Sequence, residues 1–344
     1  KKRVSLNPLN EKRTLAIRIV KINGGSECIS LYYWVQIYLY LLKKIVQLLL
    51  FLITYPIIIG VSLLPHFILY RIADFLYLVL YKLIGYRTEV VRKNLNLSFT
   101  EKSQEELKII ERAFYRHLCD IFIEMLKALT VTKKQVLKRY QFNNLEIINQ
   151  HLRKNRGVVL VCGHYSSWEA MLSIGYHLDG KGYAVYAPLS NKYFERLVVK
   201  SRAKHLIYLG SRFDVLQDIE MHQKNNISYI YGLAADQSPM PKPKSYWRSF
   251  MGVEVPVFTG AERMARRFDL PIVFADINRV KRGYYTLDIS LITDKPKETK
   301  ENEITDIFTE TLEAQIRKDP SQYFWTHNRF KHMDKNPKLV SQSE

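Results

Sequence analysis

Cysteine is scarce in this chain of 344 residues: Cys28, Cys119 and Cys162 stand far apart, with no CxxC and no even set to build a disulfide framework. A reducing compartment is the simpler reading. Metal-site spacing is missing as well. HExxH does not occur, and the nine histidines show no ligand spacing with Cys or acidic partners, so neither a metal nor any other cofactor is implied. The first thirty residues are polar and basic and lack a leading apolar run, so no cleavable signal peptide is expected. There is no internal repeat and no low-complexity tract.

Acidic residues are also in deficit. Against 52 Lys+Arg there are 33 Asp+Glu, a formal charge of +19. Such a field attracts polyanions: nucleic acid, an anionic bilayer, or an acidic carrier protein. A membrane-tethered nucleic-acid binder is the rival from another class, but no helix-turn-helix, zinc-finger or RNP-like segment appears and the cations are spread along the chain, so no nucleic-acid partner is expected. Charge disappears altogether from Ile45 to Tyr70. A helix of that length reaches roughly 39 Å, more than the ~30 Å hydrocarbon core of a bilayer. Pro56, Gly60 and Pro65 interrupt the run, which leaves a full span, a helical hairpin, an in-plane anchor and an apolar core helix all open. Basic residues flank both sides (Lys43, Lys44; Arg71, Lys82, Arg87) and give no orientation.

Beyond the apolar run, FLYLVLYKLIGYRTEVVRKNLNLSF keeps an aromatic and aliphatic face before turning basic, as an interfacial helix would. Residues 100–129 open on Thr/Ser with acidic residues and then place apolar side chains at helical spacing, with His117 as a surface or packing residue. From about Leu145 helices and short apolar strands alternate. VVLVC, YAVYA, ISYIYGLAA, PIVFADI and GYYTLDISLI read as strands. EIINQHLRKNRG, WEAMLSIGYHL, KYFERLVVKSRAKHL, RFDVLQDIEMHQKN, GAERMARRF and EITDIFTETLEAQIRK read as helices. Such alternation predicts an α/β fold with a mostly parallel central sheet flanked by helices.

The stretch CGHYSSWE, Cys162 to Glu169, follows directly on the strand GVVLV. Ligands in open α/β sheets sit beyond the carboxyl ends of strands, which places His164 where chemistry happens. An imidazole there can take a proton from a hydroxyl while a carboxylate on its far nitrogen fixes the tautomer. Glu169 is the carboxylate at hand, giving a base and its orienter without a protein nucleophile. The competing reading is structural: Ser166-x-x-Glu169 is also a capping box for the next helix. Cys162 reads either as a thiolate nucleophile or as a small residue packed inside the strand.

HYSSWE occurs together with APLSNKYFERLVVKSR at Ala187 to Arg202, AADQSPMPK at Ala234 to Lys242, YFWTHNRFK at Tyr323 to Lys331, and IGYR…VRKNLNLSF at Ile84 to Phe99. These blocks, in this order, resemble the lysophospholipid acyltransferase superfamily, specifically its bacterial lipid A late acyltransferase branch, over roughly residues 45 to 332. The resemblance implies a glycerol-3-phosphate acyltransferase-like fold with an N-terminal helical membrane anchor. It divides the chain into a basic tail (1–30), membrane anchor and interfacial helices (31–99), an acyltransferase domain (100–332) and a C-terminal tail (333–344). It implies that His164 is the general base on an acceptor hydroxyl and Glu169 its orienting partner. Asn191 and Arg196 fall in the block associated with substrate binding, where an Arg suits phosphate or carbonyl oxygens; a solvated helix charge is the alternative for Arg196. Asp236 would position a polar substrate group, or else form an ordinary turn. Lys242, Lys244 and Arg248 would face phosphate or a carrier protein, or simply solvent.

The implied reaction moves a fatty acyl chain from an acyl carrier protein thioester to a hydroxyl of a lipid A precursor. The implied location is the bacterial inner membrane, with the catalytic domain on the cytoplasmic face. A lysophospholipid or aminolipid acceptor, or water in a thioesterase, are the nearer rivals. The chain departs from the branch in two places: Asn328 stands where an extra Arg is common beside the terminal His, and SRAKHLIYLGSRFD fits poorly the strand and turn expected after the second block.

Overall fold

The computed structural model describes residues 26–336. The expected basic tail therefore lies outside the described residues up to residue 25, and the expected C-terminal tail from residue 337. Helix α1, Ser26–Leu63, carries Pro56 inside it and ends before Pro65, whose ring cannot continue a helix without losing a hydrogen bond. Trp34–Leu63 is long and apolar enough to cross a membrane, at 30 residues or about 45 Å. Trp34, Tyr38, Leu49, Leu52 and Ile53 on this helix are exposed. Two compact units divide the chain between Tyr55 and Pro56.

From Pro56 onward, α2 (His66–Tyr77) runs into a π-helical turn, and α3 (Thr88–Ser98) and α4 (Gln104–Lys127) follow. The Thr/Ser-acidic signal is realised at α4 as a capping box between Ser103 and Glu106. His117 is buried in α4 beside Arg279, and burial lowers its pKa to about 3: it is a packing residue. The buried amine of Lys127 donates to the carbonyls of Ser62 and Leu64, at 3.0 Å each, satisfying acceptors at the C-terminal end of α1.

The remaining α-helices among the described residues are α5 (Lys133–Arg139), α6 (Glu146–Leu152), α7 (Lys192–Ala203), α8 (Val215–Lys224), α9 (Gly260–Phe268) and α10 (Glu303–Lys318). The strands are β1 (Tyr140–Asn143), β2 (Val158–Cys162), β3 (Lys181–Tyr186), β4 (Ile207–Ser211), β5 (Tyr229–Ala234), β6 (Trp247–Phe250), β7 (Val253–Pro256), β8 (Ile272–Lys281) and β9 (Tyr284–Thr293). Seven of them form one sheet in the order β1-β9-β8-β2-β5-β3-β4, parallel at every pairing but β8–β9; β6 and β7 make a separate hairpin. The predicted mostly parallel sheet is thus present. The stretch that fitted poorly supplies β4, and WEAMLSIGY winds as a 3-10 helix, Trp168–Tyr176, rather than an α-helix.

Strand β2 is buried at every position, as a central parallel strand covered on both faces must be. Its odd residues, Val159 and Val161, join a core with Met264, Ala265 and Leu312 from α9 and α10. Its even residues, Val158, Leu160 and Cys162, join a second core with Ile148, Met171 and Ile174. The C-terminal stretch, whose Tyr323, Trp325 and Phe330 join the first core, is pinned from a distance. Asn94, fully buried on α3, donates through Nδ2 to the carbonyls of Trp325 and His327, both at 2.8 Å. Asn94→Ala is expected to strand two carbonyls in the interior and lower stability by about 2 kcal/mol, measured as a lower denaturant midpoint at unchanged slope.

Candidate active site

Register builds the site. Strands β2 and β5 are neighbours, and Cys162 pairs with Ala234 at their carboxyl ends. Two residues further along each strand stand His164 and Asp236. The chain leaves β2 toward the β3 side of the sheet and leaves β5 toward the β8 side, which makes this a topological switch point. His164 Nδ1 lies 2.6 Å from Asp236 Oδ1; the carboxylate is almost wholly buried and the imidazole about one-fifth exposed. Nε2 is the ring nitrogen on the far side from this carboxylate.

The approach to His164 is tightly packed. Gly163 sits close against Leu312: a Cβ there would lie 2.5 Å from that side chain, which would have to shift. Ser166 is held at φ 52°, a left-handed conformation that costs a non-glycine residue roughly 1 kcal/mol. Backbone pairing keeps it there: Ser166 N–H donates to the Gln322 carbonyl at 2.8 Å and Phe324 N–H to the His164 carbonyl at 3.0 Å. The rings of Trp168 and Phe324 lie 5.5 and 6.1 Å from the imidazole, centroid to centroid. Phe324 belongs to the YFWTHNRFK block, so that block walls the site.

Burial works against a charged imidazole, but the Asp236 carboxylate, its hydrogen bond and the more distant charge of Glu169 outweigh it and raise the pKa of His164. Burial likewise works against a charged Asp236, yet His164 and backbone N–H donors hold that carboxyl below its usual range. Behind Asp236 sits a buried polar group. Arg329 donates to Ser238 Oγ at 2.9 Å and lies 4.6 Å over the Phe250 ring, and the Tyr323 hydroxyl is within reach of both Asp236 and Arg329. The Ser238 N–H donates to His327 Nε2 at 3.2 Å. Burial keeps His327 neutral, with a pKa lowered to about 4, as an acceptor nitrogen must be.

Several expected residues land elsewhere. Glu169 does not hydrogen-bond His164: its carboxylate pairs with Arg202. The reason is local, since the 3-10 turns starting at Trp168 carry the side chain away from the imidazole, and Asp236 holds Nδ1 instead. The capping box is not formed either, because Ser166 is left-handed and no side chain caps Trp168–Tyr176. Asp236, expected to touch substrate or make a turn, is the carboxylate hydrogen-bonded to His164 Nδ1. Asn191 caps α7 by accepting from the Tyr193 N–H at 3.0 Å, and Arg196 is exposed on the same helix. Lys242 and Lys244 are exposed, whereas Arg248 is in β6 and paired with Asp306 (2.8 Å) and Glu310 (2.5 Å). Cys162 is core: burial raises its thiol to about 12.

Sequence reasoning missed Glu124. This carboxyl, buried on α4, accepts from Tyr70 (2.9 Å), Tyr285 (3.0 Å) and Ser167 (3.1 Å). Burial, only partly offset by those hydrogen bonds, raises it to about 7. Through Ser167 it fastens the loop that carries His164. Nothing in an amphipathic helix marks one glutamate among several as inward-facing.

The bacterial lipid A biosynthesis acyltransferase family matches residues 42–332. The chain belongs to this family. It is 24% identical over 250 residues to a lipid A biosynthesis palmitoleoyltransferase of Escherichia coli K12, covering 71% of this chain and 79% of that protein. It is 26% identical over 256 residues to a lipid A biosynthesis acyltransferase of Haemophilus influenzae (71% and 78%) and 22% identical over 271 residues to an Escherichia coli lauroyltransferase (78% and 87%). Among solved structures, a 1-acyl-sn-glycerophosphate acyltransferase of Thermotoga maritima aligns over 74% of this chain and 97% of its own, at 14% identity and a TM-score of 0.35. As a member of the family, the chain is an acyltransferase.

The pKa directions set the pH behaviour. The unfolded reference is about 6.5 for His and 3.9 for Asp. The raised His164 contributes stability that is whole below about 6.5 and is lost as pH rises through its folded value; the lowered Asp236 contributes stability that is whole above about 3.9 and is lost as pH falls. A reaction that uses His164 as its base runs the other way on the alkaline side, because only neutral imidazole accepts a proton. The acid limb of kcat/KM is expected to have its midpoint above about 6.5, and Asp236→Asn to move that midpoint down while cutting kcat by about 10²–10⁴. A limb that stays in place in Asp236→Asn would show that Asp236 does not set the titration.

Proposed function

We propose that this chain is a membrane-anchored O-acyltransferase that moves a fatty acyl chain from an acyl carrier protein thioester to a hydroxyl of a lipid A precursor. Its place is the bacterial inner membrane with the catalytic domain, residues 100–332, on the cytoplasmic face. The observation that carries the reading is the His164–Asp236 pair, with Nε2 unclaimed at the carboxyl edge of a parallel sheet.

His164 Nε2 takes the proton of the acceptor hydroxyl as its oxygen bonds to the thioester carbonyl carbon. The carbon–sulfur bond then breaks, and the departing sulfur takes the proton back from the imidazolium. Asp236 keeps the proton on Nδ1 and steadies the charged ring; Glu169 adds negative charge from further away rather than a hydrogen bond. Holding acceptor and donor in line is the larger task, since a thioester already carries a good leaving group.

The formal charge of +19 suits a donor carrier, acceptor phosphates and a bilayer that are all acidic. Arg196, Lys242 and Lys244, all exposed, are the cations assigned to those phosphates, and Asn191 shapes the start of the helix that presents Arg196.

His164→Ala is expected to lower transfer by at least about 10² while leaving folding and membrane association intact. Glu169→Gln, which keeps the size but drops the charge, is expected to fall by less. Near-normal turnover of His164→Ala would defeat the assignment. Lipid mass spectrometry of cells with and without the protein tests the substrate: the expected difference is one acyl group in the lipid A fraction, and the same difference in phospholipids or aminolipids instead would reassign the acceptor.

A further inference from the structure

Among the described residues Arg329 is the one buried arginine, 3% exposed, and it forms no salt bridge there. Its hydrogen-bond partners are neutral. Nη1 donates to Ser238 Oγ at 2.9 Å and to the Pro256 carbonyl at 3.5 Å, the guanidinium lies 4.6 Å over the Phe250 ring, and Nε has no hydrogen-bond partner. By contrast, Arg248 meets Asp306 and Glu310 directly. A guanidinium cannot shed its charge to escape burial, so its solvation cost stands unless a negative group lies close by.

Negative charge is available from the dyad. Asp236 and Arg329 line one small cavity, with Phe250 and Leu312 among its other walls. The Tyr323 hydroxyl is within reach of both side chains, and all three residues are at most 4% exposed. Tyr323 is itself fixed: its backbone bridges to Tyr165, next to His164, and its ring meets Trp325 edge-on at 4.8 Å. The phenol is neutral, because burial and the Asp236 charge push its pKa far up. Imidazole, carboxylate, phenol and guanidinium therefore follow one another, with a permanent cation at the end away from His164.

We propose that Arg329, acting on Asp236 across the Tyr323 hydroxyl, is a positioning residue that limits the basicity of His164. Its catalytic consequence rests on His164 being the base, and on no particular donor or acceptor. A buried carboxylate 2.6 Å from an imidazole, with nothing to oppose it, favours imidazolium, and an imidazolium cannot take a proton. A second cation close to the carboxylate draws on the same negative charge and opposes a charge on the ring, more strongly in a dry interior than in water. The other titratable groups around these four are Glu169, acting on His164 from the 3-10 segment, and Glu313, acting on Arg329 from α10. His327 and Cys162 lie beside Asp236, and burial keeps both neutral, at about 4 and about 12; the exposed Lys331 acts on His327. Of all these, Arg329 alone brings a buried positive charge.

The test is the full chain, labelled at histidine and titrated by NMR alongside the pH profile of kcat/KM, in Arg329→Met, Arg329→Lys and Tyr323→Phe. Arg329→Met is expected to raise the His164 midpoint by about one pH unit, the effect of losing one nearby charge. The acid limb is expected to rise with it, so that activity lost at neutral pH, up to about tenfold, returns as the pH is raised. Arg329→Lys, which keeps the charge, is expected to leave both in place. Tyr323→Phe, the milder change should Arg329→Met fail to fold, takes a donor from the carboxylate and is expected to shift the midpoint the same way. A midpoint that stays or falls in the folded variants would overturn the proposal, because a residue that merely packs changes stability without moving a titration. A midpoint that rises while the acid limb does not follow would sustain the proposal and overturn His164 as the base instead.

Discussion

A single hydrogen bond organises this molecule: the 2.6 Å contact between His164 Nδ1 and Asp236 Oδ1. It exists because two parallel strands end level with each other and the chain continues two residues past each end before turning away. Neither residue is close to the other in sequence, so the contact depends on correct pairing of β2 with β5. A register slip of one residue would turn His164 to the opposite face from Asp236 and abolish it.

The stretch from Gln322 to Arg329 supports that contact from three sides. Its backbone pairs with His164 and Ser166, Phe324 packs on the imidazole, and Tyr323 and Arg329 lie behind the carboxylate. Asn94 reaches the same stretch from more than two hundred residues away in sequence. This explains in physical terms why blocks so distant in the chain occur together: the RKNLNLSF helix holds the YFWTHNRF segment, and that segment holds His164. An alignment of a base and two substrates gains more from such rigidity than from any further functional group.

The fold was largely legible in the residues. Strands buried on both faces, such as β2, announce themselves as unbroken apolar runs, and α4, α9 and α10 carry clear helical spacing. The short edge strand β4 and the β6–β7 hairpin were not, because four or five residues with partial burial leave little periodicity to read. The site divided along similar lines. His164 is recognisable from its place after a strand, whereas the sequence offers Glu169 as its partner because spacing along a chain reveals local neighbours only. Asp236 lies seventy-two residues on, and only the sheet brings it back. Glu124 and Arg329 were hidden for the same reason, as buried polar groups whose partners come from other elements.

The most direct test of this account is nitrogen NMR of the His164 ring in protein labelled at histidine, observed above its titration midpoint. A neutral ring with its proton on Nδ1, hydrogen-bonded to a carboxylate and released from that state in Asp236→Asn, is the predicted result. A ring protonated on Nε2 instead, or a spectrum indifferent to Asp236→Asn, would contradict the claim that Asp236 prepares this imidazole to take a proton.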